Sequence, residues 1–154
     1  MEIINHSDFG KMRLRDFVSQ TDSIVNLIDW QFMDDYWVGE AIGFSEWLRL
    51  EGRPQETRSI ATNLEDFNDV ELAKIFSTLK LPVSLGMTFP EIEDLFGPPK
   101  EIASYVADRK SYSYILGSPT QYYVSFTVVE KIGLTYFVMM NHEKTITDLI
   151  KSSS

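Results

Sequence analysis

Ser111-Tyr112-Ser113-Tyr114-Ile115-Leu116, the turn residues Gly117-Ser118-Pro119-Thr120, and then Tyr122-Tyr123-Val124-Ser125-Phe126-Thr127-Val128-Val129 form a stretch written with a period of two. Successive side chains of a strand point to opposite faces, so Tyr122, Val124, Phe126 and Val128 belong to one face and Tyr123, Ser125, Thr127 and Val129 to the other. Aromatic and β-branched residues dominate, as a half-buried pleated surface requires. Upstream, Ile102-Ala103-Ser104-Tyr105-Val106 reaches the first run through the polar turn Asp108-Arg109-Lys110. Downstream, Leu134 to Met140 pairs back after Glu130-Lys131-Ile132-Gly133. The spacing predicts an antiparallel meander of about four strands in the C-terminal half.

Helical signals lie ahead of it. Thr88 precedes Phe89-Pro90-Glu91-Ile92-Glu93-Asp94-Leu95-Phe96, where Pro90 and Glu91 suit the first turn and Gly97-Pro98-Pro99 ends it. Asn68 to Leu79 carries a cap and an apolar stripe of Val70, Leu72, Ile75, Phe76 and Leu79. Toward the N-terminus, Lys11 to Phe17 begins a helix, and Thr21-Asp22-Ser23 caps Ile24, Leu27, Ile28 and Phe32 at helical spacing. The aromatic runs Trp30 to Met33 and Tyr36 to Gly39 also admit a strand reading. Gly43 to Gly52 reads as a short helix with Ser45 near its start, Gly52 as its stop and Pro54 beyond. Thr145 to Lys151 closes the chain as a helix, before the serine tail. The architecture expected is α+β: one domain over 1–154, divisible into a mostly helical 1–81 and an 82–151 of helix plus antiparallel sheet.

A shift of 45 positions lays Phe44 to Glu56 over Phe89 to Glu101 with six of thirteen residues identical. The shared content is a short amphipathic unit closed by Gly and turned by Pro, which leaves duplication and coincidence both open.

Composition narrows the function. With 154 residues, 44% hydrophobic and 13% aromatic, the chain is too rich in core-forming residues for a disordered tail. No apolar run approaches the roughly 18 residues of a membrane helix, and Met1-Glu2-Ile3-Ile4-Asn5-His6 lacks a signal peptide's cationic and apolar regions. A cytoplasmic location without membrane contact is expected. There is no cysteine, so disulfides, thiolate metal ligands and cysteine nucleophiles are excluded together, and the two histidines, His6 and His142, stand far apart in sequence. Neither has a visible partner for acid–base work. Asp34 and Asp35 are neighbours and diverge on any helix or strand, unlike a carboxylate pair facing across a cleft, and Glu91 and Asp94 suit a helix start. Calcium-loop, phosphate-loop, nucleophile-elbow and dinucleotide fingerprints are absent. No metal, no cofactor and no catalytic residue is expected, and the chain reads as something other than an enzyme.

The net charge of −9 is unevenly placed. Residues 22–71 hold twelve acids against three bases, while the remainder is balanced at eleven of each. Such a segment repels phosphate backbones and attracts a basic partner, which argues against nucleic acid and for a protein. The partner-binding candidates are Asp34, Asp35, Tyr36, Trp37 and Glu40, together with Glu46, because aromatic anchors flanked by charge make binding hot spots. Tyr123, facing outward beside Thr127, is a further candidate.

Leu85-Gly86-Met87-Thr88 followed by the helix closing in Gly97-Pro98-Pro99, then Tyr112-Ser113-Tyr114 and Tyr122-Tyr123-Val124-Ser125-Phe126, resembles the repeat of the β-lactamase-inhibitor-protein-like and small outer-membrane-lipoprotein-like group. The resemblance spans residues 83–140. It implies a helix-on-sheet scaffold whose members mostly bind proteins, although the lipid-bearing cysteine and the cysteines common in secreted inhibitors are missing here. In size and charge the chain is similar to small acidic bacterial immunity proteins. The function expected is therefore a cytosolic inhibitor that neutralises a cognate basic toxin through an acidic surface. The alternatives are a small-molecule-binding protein or enzyme with a pocket between sheet and helices, and a homo-oligomeric adaptor, with the oligomeric state left open.

Overall fold

The computed structural model describes residues 1–12, 17, 29–33, 36–41, 44–49 and 56–152; between 29 and 56, as at Asp66, it describes the backbone alone. Its strands are β1 (Asp29–Met33), β2 (Tyr36–Ala41), β3 (Phe44–Arg49), β4 (Glu56–Asn63), β5 (Glu101–Val106), β6 (Arg109–Leu116), β7 (Tyr122–Val129) and β8 (Gly133–Met140). They form one antiparallel sheet in the order β1-β2-β3-β4-β8-β7-β6-β5. That order reads the same outward from the β4–β8 seam, where Ile60 lies opposite Met139 and Thr62 opposite Phe137. Each side of the seam is a four-stranded meander. The helices are α1 (His6–Lys11), α2 (Asp69–Leu79), α3 (Phe89–Phe96) and α4 (Glu143–Ser152), and a 3-10 turn, Leu64–Asp66, follows β4.

The α+β class stands, with its antiparallel meander in the C-terminal half. The helical reading of the first half needs correcting, because residues 29–63 hold four strands. Trp30 to Met33 and Tyr36 to Gly39 follow their aromatic, strand-forming content. Phe44–Arg49, read as a helix from Ser45 and Gly52, is β3, hydrogen-bonded to β2 on one side and β4 on the other. Pairing on both edges outweighs a local propensity worth only tenths of a kcal/mol per residue. This also separates the two copies of the 45-residue echo, since Phe44 begins a strand and Phe89 a helix. A helix sits at His6–Lys11, and Met12 after it is extended; of the segment read as a helix from Lys11 to Phe17, residues 13–16 lie outside the described residues. Residues 21–28, which were assigned a cap and a helix start, lie outside the described residues, as do Gly43 and 50–55.

Local chemistry fixes the later helices where the sequence put them. Asn68 accepts from the Glu71 backbone N–H at 2.8 Å while the Glu71 carboxylate accepts from the Asn68 N–H at 2.9 Å, a reciprocal cap that satisfies two orphan donors of α2. Thr88 and Glu91 repeat it on α3, with Thr88 Oγ1 also donating to the Glu91 carboxylate at 2.9 Å. Val70 is 65% exposed, so the buried stripe of α2 is Leu72, Ile75, Phe76 and Leu79 without it.

The core lies between the sheet and the helices α1, α2 and α3. Two alternate rungs on one face, Tyr114–Val124–Met139–Ile60 and Tyr112–Phe126–Phe137–Thr62, run across four strands and are buried along their length. Phe76 of α2 meets Phe137 at 5.4 Å between ring centres, Phe89 of α3 stacks on Tyr112 at 3.9 Å, and Phe96 stacks on Phe126 at 5.6 Å. Phe9 of α1 packs edge-on to Tyr122 at 5.0 Å, and the Tyr122 hydroxyl donates to the Ile4 carbonyl at 2.7 Å. Ile146 and Leu149 of α4 are buried outside this cluster, and α4 lies against β6 and β7.

Candidate functional site

Alternation along β6 and β7 sends Ser111, Ser113, Tyr123, Ser125 and Thr127 to the face opposite the aromatic core. These side chains bond to one another. Ser111 Oγ and Thr127 Oγ1 are 2.9 Å apart across the strands, and Ser113 Oγ lies 3.0 Å from the Tyr123 hydroxyl and 3.5 Å from Ser125 Oγ. Exposure grows along this ladder: Ser113 and Ser125 are buried, Ser111 and Thr127 half-buried, and Tyr136, opposite Thr127, exposed. Tyr123 is half-buried with its hydroxyl held by Ser113, so its ring is a fixed contact surface that loses little side-chain freedom on binding. At the sheet's outer edge, β5 is exposed along nearly its whole length, with Ile102 and Val106 more than half exposed and Tyr105 92% exposed.

The other candidate residues that are described belong to the far half of the sheet. Asp34 and Asp35 lie outside the described residues. Tyr36, Trp37 and Glu40 are on β2 and Glu46 on the adjacent β3. Glu40 is registered between Asp29 and Ser45, and Glu46 between Gly39 and Ile60, so the two acids occupy successive rungs. Tyr123 shares a rung with Met140, Ser59, Trp47 and Val38, and four strand spacings, about 19 Å, separate β7 from β2. The structure therefore places Tyr36, Trp37, Glu40 and Glu46 on neighbouring strands, with the Tyr36 and Glu40 positions on one face of the sheet and the Trp37 and Glu46 positions on the other, and leaves Tyr123 apart from them.

The residues screened for catalysis have structural surroundings. His6 opens α1, packs edge-on against Tyr122 at 5.1 Å and holds its Nε2 3.2 Å from the Gln121 carbonyl, so it is not part of a loose start. Glu91 is engaged in the α3 cap. Tyr114 donates to the Gly97 carbonyl at 3.0 Å, and burial pushes its phenol up to about 12. Among the described residues no three of the types His, Cys, Asp and Glu gather in a way that would hold a metal ion. No helix among them is long and apolar enough to cross a membrane.

His142 follows β8, half-buried. Burial, reinforced by the Arg58 guanidinium, holds its imidazole below the ordinary histidine range. A histidine depressed in the folded state favours folding fully above the unfolded value of about 6.5, and that contribution is lost as pH falls through the folded value. The urea midpoint is therefore expected to fall between pH 7.5 and pH 5.5, and to fall less in His142→Gln. Equal losses in both proteins would show that His142 contributes nothing to the acid sensitivity.

Comparison with protein-family models, with curated proteins and with solved structures gives no match.

Proposed function

We propose that this chain is a protein-binding inhibitor of the cytosol, an immunity protein that neutralises a cognate basic toxin by docking an acidic surface against it. The observation that carries this reading is the charge map laid over the sheet. Residues 29–63, which form β1 to β4, hold seven acids and three bases, whereas residues 101–140, which form β5 to β8, hold three acids and three bases. One half of the sheet is thus acidic and the other balanced. The β1–β2 register also seats two acidic positions, Asp29 and Glu40, opposite each other. The aromatic positions Tyr36 and Trp37 sit on the same strand as Glu40, the composition expected of an anchor within a charged rim.

Electrostatic docking of this kind depends on ionic strength, because exposed charges are screened beyond a Debye length. With the toxin encoded beside this chain as partner, Kd is expected to weaken about tenfold or more between about 50 mM and about 500 mM salt, chiefly through a slower association rate. Reversing the charge of Glu40 and Glu46 together is expected to reproduce the high-salt rate at low salt. Salt-insensitive binding, or none, defeats the reading.

A further inference from the structure

Beyond a protein-docking role, and independent of it, one cleft is equipped for a small molecule. It has a volume of about 620 Å³, inside the roughly 300–1,000 Å³ of small-molecule sites. It lies where the start of α1, the β6–β7 loop, the ends of β4 and β8, and one side of α4 meet; Pro119, Ile146 and Ile150 give it apolar wall.

Two of its buried polar side-chain atoms have no hydrogen-bond partner among the described residues. Asn141 is only 9% exposed, and its side-chain Oδ1 is buried without a hydrogen-bond partner among the described residues. Arg58 has a buried Nε that is likewise unpaired, and its guanidinium enters no ion pair among the described residues. The Asn141 N–H donates to the Arg58 carbonyl at 3.0 Å, so the two residues are adjacent on the cleft wall. The backbone shows how Arg58 comes to be there. Trp47 of β3 pairs with Ser59 and Leu48 with Thr57, which leaves Arg58 as the extra residue of a β-bulge, a device that redirects a side chain out of the ladder. Glu143, exposed at the first position of α4, brings a carboxylate to the same cleft.

Buried polar groups are nearly always hydrogen-bonded, and an orphaned donor and an orphaned acceptor on residues joined through their backbones ask for a ligand that answers both. A simple anion satisfies Arg58 but is opposed by Glu143 and offers nothing to the Asn141 oxygen. A simple amine satisfies Asn141 and Glu143 but is opposed by Arg58. A zwitterion meets all of them, and the isoleucine and proline wall takes an aliphatic side chain. We propose that this cleft binds a free aliphatic α-amino acid, its carboxylate on Arg58 and its ammonium group between the Asn141 side-chain oxygen and Glu143.

The test is a titration of the 15N-labelled full chain with L-leucine, followed by amide shifts. Saturable shifts are expected at Arg58, Gln121, Asn141 and Glu143, with N-acetyl-leucine, which lacks the ammonium, and leucinamide, which lacks the carboxylate, each binding about tenfold or more weakly. Arg58→Gln and Asn141→Leu are expected to weaken leucine about tenfold. Glu143→Gln, at an exposed position, is expected to weaken leucine and leucinamide more than N-acetyl-leucine, since only the first two carry the ammonium. No saturation by about 20 mM leucine, far above the millimolar range of the weakest specific sites, overturns the proposal. So does equal binding of leucine, its two blocked forms and acetate, which would mark an anion site or a bare apolar hollow.

Discussion

Gly133→Ala is expected to destabilise the chain by about 4 kcal/mol or more, the range in which a single substitution threatens a domain's whole stability. Gly133 opens β8 with φ at +97°, a conformation that side-chain-bearing residues rarely adopt. A Cβ there would lie 2.2 Å from the Gly86 carbonyl oxygen and 2.4 Å from its carbon, and both are backbone atoms that no rotamer change moves aside. Relief requires pulling the 84–87 segment off β8. That segment is held by the Gly86 N–H donating to the Leu134 carbonyl at 2.9 Å and the Leu134 N–H donating to the Met87 carbonyl at 2.8 Å. The substitution therefore combines backbone strain with the loss of the contact that delivers α3 to the sheet. Gly97→Ala is the matched comparison: φ is +81°, but a Cβ would meet nothing within 4 Å. Strain alone, about 1–3 kcal/mol, is expected there. Urea midpoints of the two variants decide the point, and an equal loss in both would refute the steric argument.

The sequence of the C-terminal half speaks for its own structure because local and long-range preferences agree. Period two in Tyr122–Val129 matches the pairing with β6 throughout and with β8 from Tyr123 to Thr127, where the register shifts, and the caps at Asn68 and Thr88 are satisfied within their own helices. One detail moved: the turn before β6 falls at 107–108, ahead of Arg109, since Arg109 and Lys110 already pair with Val129 and Val128. In the first half the levels disagree. Phe44-Ser45-Glu46-Trp47-Leu48-Arg49 has no clean alternation, and its flanking Ser and Gly imitate helix ends, so only its two neighbouring strands determine its form. The palindromic strand order is a property of pairing at the β4–β8 seam, and nothing local in Glu56–Asn63 announces that partner.

The candidate residues divide the same way. The acidic segment was legible by counting, because net charge survives any fold. Tyr123 was legible as an outward aromatic, but not the Ser113 hydroxyl that fixes it, which depends on register across β6 and β7. The cleft was not legible at all. Arg58, Gln121 and Asn141 come from three separate places in the chain, and the bulge that singles out Arg58 is a mismatch between two strands that neither strand encodes alone. The only sequence signal near it is the pair Asn141-His142, two polar residues at the end of an apolar strand.

Phe126→Ala is expected to cost about 3–5 kcal/mol, because deleting a buried ring removes its transfer free energy and leaves a cavity that its neighbours fill only in part. Phe126 is fully buried at the centre of its rung, between Tyr112 on β6 and Phe137 on β8. Its ring stacks on Phe96 of α3 at 5.6 Å and meets Tyr114 edge-on at 6.0 Å. Collapse around the gap is restricted on each side. Phe137 is held by Phe76 of α2, and Tyr114 is tied by its hydroxyl to the Gly97 carbonyl at the end of α3. The ring thus joins α3 to the middle of the sheet, and its removal loosens the helix as well as the strand. Since a domain's net stability is about 5–15 kcal/mol, the variant is expected to unfold at a much lower urea concentration with an unchanged slope. Phe126→Leu, which keeps most of the volume and loses the stacking, is expected to recover more than half of that loss. If alanine cost less than about 1.5 kcal/mol, the level of a volume-conserving core swap, the ring could not be the junction between α3 and the sheet.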